Sequence, residues 1–483
     1  MSISSAIMNA VSGLTAVSRG TEVTASNLAN ALTEGYGRRS LALSPQTHSG
    51  GVRIDGIARA VNADLLREYR LANAGRSQAD ALSHFAVTLE TAFGDVTQTG
   101  SLLGALSSFN TALTQASARP DSDQRLMAVV DSARNLAGKL NGISRTIQDE
   151  RLRADQAIAR DIETLNKSLH EIANLNRNIV SLAAQGQDSS ALLDARQKII
   201  DDLSGLVRIR EVPRENGTVA IFSDSGFALL DGTTPLAIDF VGVTAMTPQM
   251  TVANGDLGQI MVGGAPMSAA HKTMFEGGRI AANLAIRDTL APAHQARLDG
   301  LAREIYDRLA DPAIDGTLAA GQPGLFSDGA SALDPLNEVG FAGRIALNPA
   351  ADPQAGGQLW RIRAGMSAAT PGDVGNSTLI NRMVQAFETA RTPVSLALSG
   401  PARSIGGLTG GIASIIATER VAAEGRLDQL QTHGNSLKQA LLAEGVDSDQ
   451  EMESLMALER AYAANAKVLQ TANEMLDTIL GVK

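Results

Sequence analysis

Two stretches, one at each end of the chain, repeat their side chains at heptad spacing, and this constrains the fold more than any other feature. Near the start, Ile3, Ile7, Ala10, Leu14, Val17, Thr21, Thr24 and Leu28 alternate in steps of four and three, the seam of a helix that packs on another helix. Near the end, Leu455, Tyr462, Leu469 and Leu476 recur every seven residues, with Leu458, Asn465, Ala472 and Ile479 as the companion row. Either stretch alone reads as an amphipathic helix on an ordinary core; two at opposite extremes predict a mutual pair. Paired ends force the remaining chain to loop out between them, so the domains are expected to be discontinuous. Asn30 and Gly35 supply the stop after the first helix, Gly35 as the left-handed position.

The interior alternates between helix and short strands. Residues 121–185 read as a long helical region, opened by Asp121 and Gln124 as a capping arrangement after Pro120. Ile158, Leu165, Ile172 and Ile179 repeat at seven within it, with Ile162, Leu169 and Asn176 beside them. Asn176 reads either as a buried residue that fixes register or as an exposed edge position. Residues 149–156 break the phase and read as a stutter or as a turn between helices. A second long helix is expected over 404–443, interrupted near Gly425 and Gly434. Short apolar stretches at 207–212, 218–222 and 259–262 stand among Gly, Asp, Asn and Pro and suggest hairpins, and 343–347 and 358–363 are further strand candidates.

The expected fold is mainly α with a β-containing insertion, its N- and C-terminal helices paired as a coiled coil. Residues 1–55 with 441–483 would form the terminal domain, and 56–205 with 376–440 a helical body. Residues 206–375 would form a β-rich insertion containing a helix near 276–310, all arranged along an elongated chain. Aromatic residues make up only 3% of the 483, which suits close packing through Ala and Leu rather than aromatic-filled cores.

Catalytic and binding chemistry finds little support. The chain has no cysteine, which removes disulfides, thiolate metal sites and cysteine nucleophiles. Histidines 48, 84, 170, 271, 294 and 433 are scattered without an HExxH pattern. The acidic groups at 121–123 and 447–451 begin like calcium loops but have Leu126 and Met452 where glycine is needed and Ser132 and Leu458 where the closing Glu belongs. No phosphate-binding loop is present. No cofactor, metal or catalytic site is therefore expected. A net charge of −10 offers no basic excess for nucleic acid, and no run approaches the ~18 apolar residues of a membrane span. Before Arg19 there is no basic residue, and Ser2, Ser4, Ser5, Asn9 and Ser12 interrupt the apolar run. A cleavable signal is not expected, so the chain either stays in the cytoplasm or leaves by a route that reads none.

Specific strings at both ends carry a resemblance. Ser12-Gly13-Leu14, Ser26-Asn27-Leu28-Ala29-Asn30 and Thr33-Glu34-Gly35-Tyr36-Gly37-Arg38 resemble the opening shared by flagellar rod, hook and hook-associated proteins. Glu444-Gly445-Val446-Asp447, Glu451-Met452, Leu458-Glu459-Arg460-Ala461-Tyr462, Asn465-Ala466-Lys467 and Thr471-Ala472-Asn473-Glu474-Met475-Leu476 resemble their shared ending, although the wider group often has Gln where Glu459 stands. The interior is similar to the hook-associated protein 1 family. Leu102, Phe109, Pro120 and Arg125 match its helical domain, and Arg344 to Pro349 with Gly356 to Arg361 match a later segment. The similarity is weakest over 213–259 and 312–339.

This resemblance implies a structural subunit, not an enzyme, at the junction of hook and filament. It would be exported through the flagellar type III pathway and reside outside the cell, after a transient stay in the cytoplasm. Implied partners are further copies in a ring, the hook protein, a second junction protein or filament subunits, and a dedicated export chaperone on the C-terminal helices. The implied assembly interface comprises Ile3, Ile7, Leu14, Val17, Asn27, Leu28, Asn30, Gly35 and Tyr36 with Leu455, Leu458, Tyr462, Asn465, Leu469, Leu476 and Ile479. A hook or distal rod subunit is the nearest alternative; a wall hydrolase on an axial scaffold is another, and release of peptidoglycan by purified protein would identify it.

Charge distinguishes the two ends. Residues 1–40 carry Arg19, Arg38 and Arg39 against Glu22 and Glu34, and residues 441–483 carry eight acids against Arg460, Lys467 and Lys483. The opposite signs favour pairing between the ends, but exposed charges contribute little individually, so the apolar seam should supply most of the affinity. Leu469→Asp is expected to abolish addition of the protein to isolated hooks, counted as capped ends by electron microscopy, while Glu474→Lys leaves most of it. Comparable losses would show that the seam is not the dominant contact.

Overall fold

Polar side chains divide the chain into its helices. Asn62, Ser101, Ser122, Ser404 and Asp447 each accept a backbone N–H from the turn that follows, satisfying donors that every helix start leaves open. The computed structural model describes residues 3–33, 35–46, 50–95, 97–268, 271 and 273–481; Ser2, Glu34, His48 and Lys483 from the sequence reading lie outside them. The helices are α1 (Ile3–Ala29), α2 (Ala63–Phe93), α3 (Leu102–Ala118), α4 (Asp123–Ala184), α5 (Ser190–Ser204), α6 (Arg279–Ala285), α7 (Ala291–Leu309), the short α8 (Arg361–Ala364), α9 (Thr378–Glu388), α10 (Ile405–Ala443) and α11 (Ser448–Leu480). The start of α4 is capped by Ser122 rather than by Asp121, which instead pairs with Arg119 at 3.1 Å.

Small antiparallel sheets interrupt the helices. Strands β1 (Arg38–Pro45) and β2 (Val52–Ala60) form a hairpin against α1. A four-stranded meander follows α5: β3 (Ile209–Pro213), β4 (Val219–Ser223), β5 (Ala228–Asp231) and β6 (Thr234–Pro235). Strands β7 (Ile238–Asp239), β8 (Met261–Val262) and β9 (Ala265–Pro266) make a second sheet, and β10 (Phe326–Asp328) pairs with β11 (Ile345–Leu347). The architecture is mainly α with β-containing insertions and a long helix at each end, as the periodicity predicts. Residues 358–363 differ from the expected strand. Backbone bonds from Arg361 to Gln358 and from Ile362 to Leu359 curl them into a turn that runs into α8.

Helix α4 organises the interior. Its 62 residues span about 93 Å at 1.5 Å per residue. The first half, from Leu126 to Ala154, joins α3, α7, α9, the start of α10 and β10–β11 in one apolar core; the second half, from Ile158 to Ala173, joins α5, α6 and the strands of the two central sheets in another. Packing thus draws its lines at 154/158 and 284/286, whereas the sequence partition draws them at 205/206 and 375/376.

The phase break at 149–156 lies between the cores and is a stutter, not a turn, because α4 continues through it. Arg151 and Asp155 are buried there. Arg151 donates to the carbonyls of Thr247 (3.1 Å), Met250 (2.8 Å) and Arg287 (3.0 Å). Asp155 accepts from Val243 N (2.7 Å) and Arg287 Nη1 (2.8 Å). The irregular strap 241–258 is thereby fastened to α4. Asn176 is fully buried, donating to Val219 O (2.9 Å) and Gly232 O (2.6 Å) and accepting from Arg196 Nη1 (2.8 Å), so of its two readings the buried one holds, with its partners in the central sheet and on α5 rather than on a facing coiled-coil helix.

Helices α2 and α10 form an antiparallel arm from the first core toward the chain ends. Arg420 pairs with Glu90 at 2.5 Å and a Cβ on Gly75 would touch Leu430 at 3.5 Å. The expected interruptions at Gly425 and Gly434 are absent; α10 runs through both, because its packing on α2 outweighs the ~1 kcal/mol that a mid-helix glycine costs.

The arm is joined to α7 by a buried imidazole. His294 Nε2 lies 2.9 Å from Glu419 and its ring 6.0 Å from Phe85. Burial, aided by Arg297, lowers its pKa from 6.5 to about 4. The unfolded chain therefore takes up this proton before the folded one does, so the contribution is complete above pH 6.5 and is lost as pH falls toward 4. Urea midpoints are expected to drop more steeply between pH 7 and 4.5 for the native chain than for His294→Gln; parallel profiles would remove His294 from the account.

Candidate functional site

The chain ends meet through small residues. Helices α1 and α11 run antiparallel, with Gly13 against Asn465, Gly20 against Leu458 and Asn27 against Glu451. All three pairs are seven residues apart on both helices. A Cβ on Gly13 would stand 2.9 Å from Asn465 Nδ2, and one on Gly20 3.1 Å from Leu458 Cδ2. The inner face of α1 thus reads Ala10, Gly13, Val17, Gly20, Thr24 and Asn27. The row Ala10, Val17, Thr24 coincides with one row of the heptad seam, but the companion row is shifted by one residue: Ile7, Leu14, Thr21 and Leu28 are half-buried. Steric size explains the shift, since only the glycines let the two backbones approach this closely.

On α11 the placement is uneven. Leu455, Leu458, Asn465 and Leu469 are half-buried along the contact, while Tyr462 is 51% and Ile479 61% exposed. Continuing the register sets Met475 opposite Ile3, so Leu476, Ile479 and Leu480 overhang the first described turn of α1. Glu451 and Ala472 are its buried residues among those described. Outward from the contact, Met8 and Val11 on α1 and Met452 and Met456 on α11 are exposed.

A polar knot closes one end of the pair. Asn27, buried at the end of α1, donates to Glu451 Oε2 (3.1 Å) and Arg39 O (2.8 Å), and accepts from Arg39 N (3.0 Å) and Tyr36 Oη (2.9 Å). All four hydrogen-bonding positions of its amide are used. The other Glu451 oxygen accepts from Arg38 Nε at 2.7 Å, Tyr36 Oη lies 3.3 Å from Ser26 Oγ, and the Arg39 guanidinium stands 4.7 Å from the Tyr36 ring centre. Asn30 donates to Ser26 O and accepts from Thr33 Oγ1, and Gly35 turns the chain at φ 83°, a conformation that costs other residues. Asn27, Asn30, Gly35 and Tyr36 thus come together in one cluster.

Asp194 on α5 fastens this cluster to the helical body. It accepts from Gly37 N (3.1 Å), Arg39 Nη2 (2.7 Å) and Arg59 Nε (2.6 Å). A cleft of about 900 Å³ opens beside it, between Tyr36, Tyr69 on α2, Lys198 on α5 and Leu442 at the end of α10. Asp194 and the anchoring role of Glu451 are not apparent from sequence, whereas the seven-spaced series Gly13, Gly20, Asn27 was a usable signal. Among the described residues no group of His, Asp and Glu could hold a metal ion, and no helix is long and apolar enough to cross a membrane.

The chain is similar to known flagellar proteins. The family description "Flagellar hook-associated protein FlgK helical domain" matches residues 86–326, "Flagellar basal body rod FlgEFG protein C-terminal" matches 437–482 and "Flagella basal body rod protein" matches 7–36. The latter two fall on α11 and on α1 with its knot. The chain is 23% identical to flagellar hook-associated protein 1 of Escherichia coli K12 over 100% of both chains. It is 24% identical to the Salmonella typhimurium protein of the same name over 53% of this chain and 47% of that one, about half the relative's length. The Bacillus subtilis protein of that name is 24% identical over 42% and 43%. Among solved structures, the flagellar hook junction protein FlgK from Burkholderia pseudomallei is similar with a TM-score of 0.45 and 21% identity, over 55% of this chain and 47% of that one.

The close approach of α1 and α11 is open to test. Gly20→Leu is expected to wedge the helices apart and reduce amide protection throughout both by about tenfold or more, since overpacking of a filled contact costs roughly 1–3 kcal/mol. Ser18→Leu, on the exposed side of α1, should leave hydrogen exchange unchanged. Equal effects of the two would contradict the glycine-mediated contact.

Proposed function

We propose, from the premise that this chain belongs to the flagellar hook-associated protein 1 family, that it is a structural subunit of the junction between hook and filament, assembled through its terminal helices. The observation that carries this reading is the α1–α11 pair. It holds both axial-protein endings in one antiparallel unit and leaves apolar side chains facing outward on both helices. Such faces are stable in a multi-subunit assembly, where neighbours cover them.

In this reading Ile3, Ile7, Leu14, Val17 and Leu28 with Leu455, Leu458, Tyr462, Asn465, Leu469, Leu476 and Ile479 form the terminal assembly surface. Asn27, Asn30, Gly35 and Tyr36 hold its shape. Partners are further copies in a ring, the hook protein on one side, and a second junction protein or filament subunits on the other. Export by the flagellar type III pathway, with a dedicated chaperone on the C-terminal helices beforehand, would deliver it to the outside of the cell. A chain without cysteine suits that passage.

Deleting residues 464–483 removes the last half of α11, with Leu469 and Leu476, and touches neither core. The truncated chain is expected to keep the native circular dichroism of its helical body. Cells making only this chain should release filament subunits into the medium. Normal filaments on such cells would refute the assembly role of the terminal pair.

A further inference from the structure

Neither apolar core takes a side chain from the paired ends. The first core draws its buried residues from Phe85 to Ile416 and the second from Ile158 to Ile280. The terminal unit, made of α1, the β1–β2 hairpin and α11, therefore stands outside both. Two stretches of chain connect it to the helical body. Val61 and Asn62 lead from β2 into α2, and Glu444 to Val446 lead from α10 toward α11. These crossings lie side by side, since Asn62 Nδ2 donates to Glu444 Oε1 at 3.0 Å. Neither is helix or strand, and a few residues of this kind, at the ends of regular elements, absorb the backbone rotations of a domain hinge.

Away from the crossings, one turn of α5 holds the unit in place. Asp194 accepts from Gly37 N (3.1 Å), Arg39 Nη2 (2.7 Å) and Arg59 Nε (2.6 Å), and Arg59 Nη2 donates to Gln197 Oε1. Asp194 is 13%, Arg39 14% and Arg59 15% exposed, sheltered enough for these charge-assisted bonds to count. The attachment is polar all the same. The cleft of about 900 Å³ is bordered both by the crossings, at Val61 and Gly445, and by this ion-pair site, at Arg59 and Gln197. Parts of a chain that share no large apolar interface move relative to one another by default. Within the unit the opposite holds, because the glycine contacts and the Asn27 knot bind α1, the hairpin and α11 into one piece.

We propose that the terminal unit is hinged at the two crossings and latched to the helical body by Asp194, and that release of this latch lets the unit swing as one piece about the cleft. Asp194 suits the task because a single carboxylate answers two arginines and a backbone N–H from three positions of the unit. Its loss frees all three at once, and no apolar burial has to be undone. The swing is a property of the free chain and does not depend on the junction reading.

Because the chain contains no cysteine, thiols introduced in pairs carry spin labels at chosen places. In the full-length protein, Ser18→Cys with Glu171→Cys reports the distance from the unit to the body, and Ser18→Cys with Gln470→Cys a distance within the unit, all at exposed positions. Pulsed electron paramagnetic resonance is expected to give one narrow population for each pair when Asp194 is present. Asp194→Asn keeps the shape and removes the charge; it is expected to turn the unit-to-body population broad and leave the distance within the unit unchanged. Asp201→Asn, on the same helix but paired with Arg70 inside the body at 2.6 Å, is expected to change neither. A unit-to-body distance that stays narrow in Asp194→Asn would overturn the latch, as would a native chain already as broad as that variant. Broadening of both distances together, or equal broadening by Asp201→Asn, would overturn it too, because the ends would then be unfolding, or α5 loosening, in place of a swing.

Discussion

The hydrogen bond between Asn27 and Glu451 joins residues 424 positions apart, and the layout of the whole chain follows from the closure it helps to make. Bringing such distant segments together carries a loop entropy that grows slowly with length, so few contacts suffice once the intervening chain is folded. The contact is buried and fully paired, and a donor or acceptor left there alone would be penalised more than the pair gains. Position on α1, the entry to the hairpin and the first turn of α11 are therefore set together. The glycines then determine how closely the two helices can lie, and Asp194 connects the unit to the body.

Away from the ends, α4 has the corresponding role. It serves two apolar cores, and the boundary between them is filled by charge rather than by a chain break. Arg151 and Asp155 are compensated mainly by backbone groups of the strap 241–258 and by Arg287. Buried charges are tolerated only with such complete partnering. The strap, a long segment with little regular structure, is unusual in a packed domain; here its polar backbone is what the buried side chains require.

Much of this was legible because periodicity reports which side of a helix is covered. The pairing of the ends, the long central helix, the left-handed Gly35 and the mixture of helix with short strands follow from spacing and turn chemistry. The companion row on α1 was misplaced by one residue because a search for large apolar side chains passes over Gly13 and Gly20, whose value lies in being small. Arg151 and Asp194 left no pattern, since their partners are backbone groups or residues far away in sequence. The continuous course of α10 through two glycines shows tertiary packing overriding local preference, and Trp360 falls in a helical turn despite strand-like neighbours for the same reason.

One consequence follows from α4 being common to both cores. Domains connected by a loop can rotate about it at little expense, but here the connection is an unbroken ladder of backbone hydrogen bonds with the polar seam clamped across it. Bending the molecule between its cores would require opening that ladder or unseating Arg151 and Asp155. A twisting load entering at one core is therefore carried as torsion along a stiff shaft to the other, rather than dissipated at a joint.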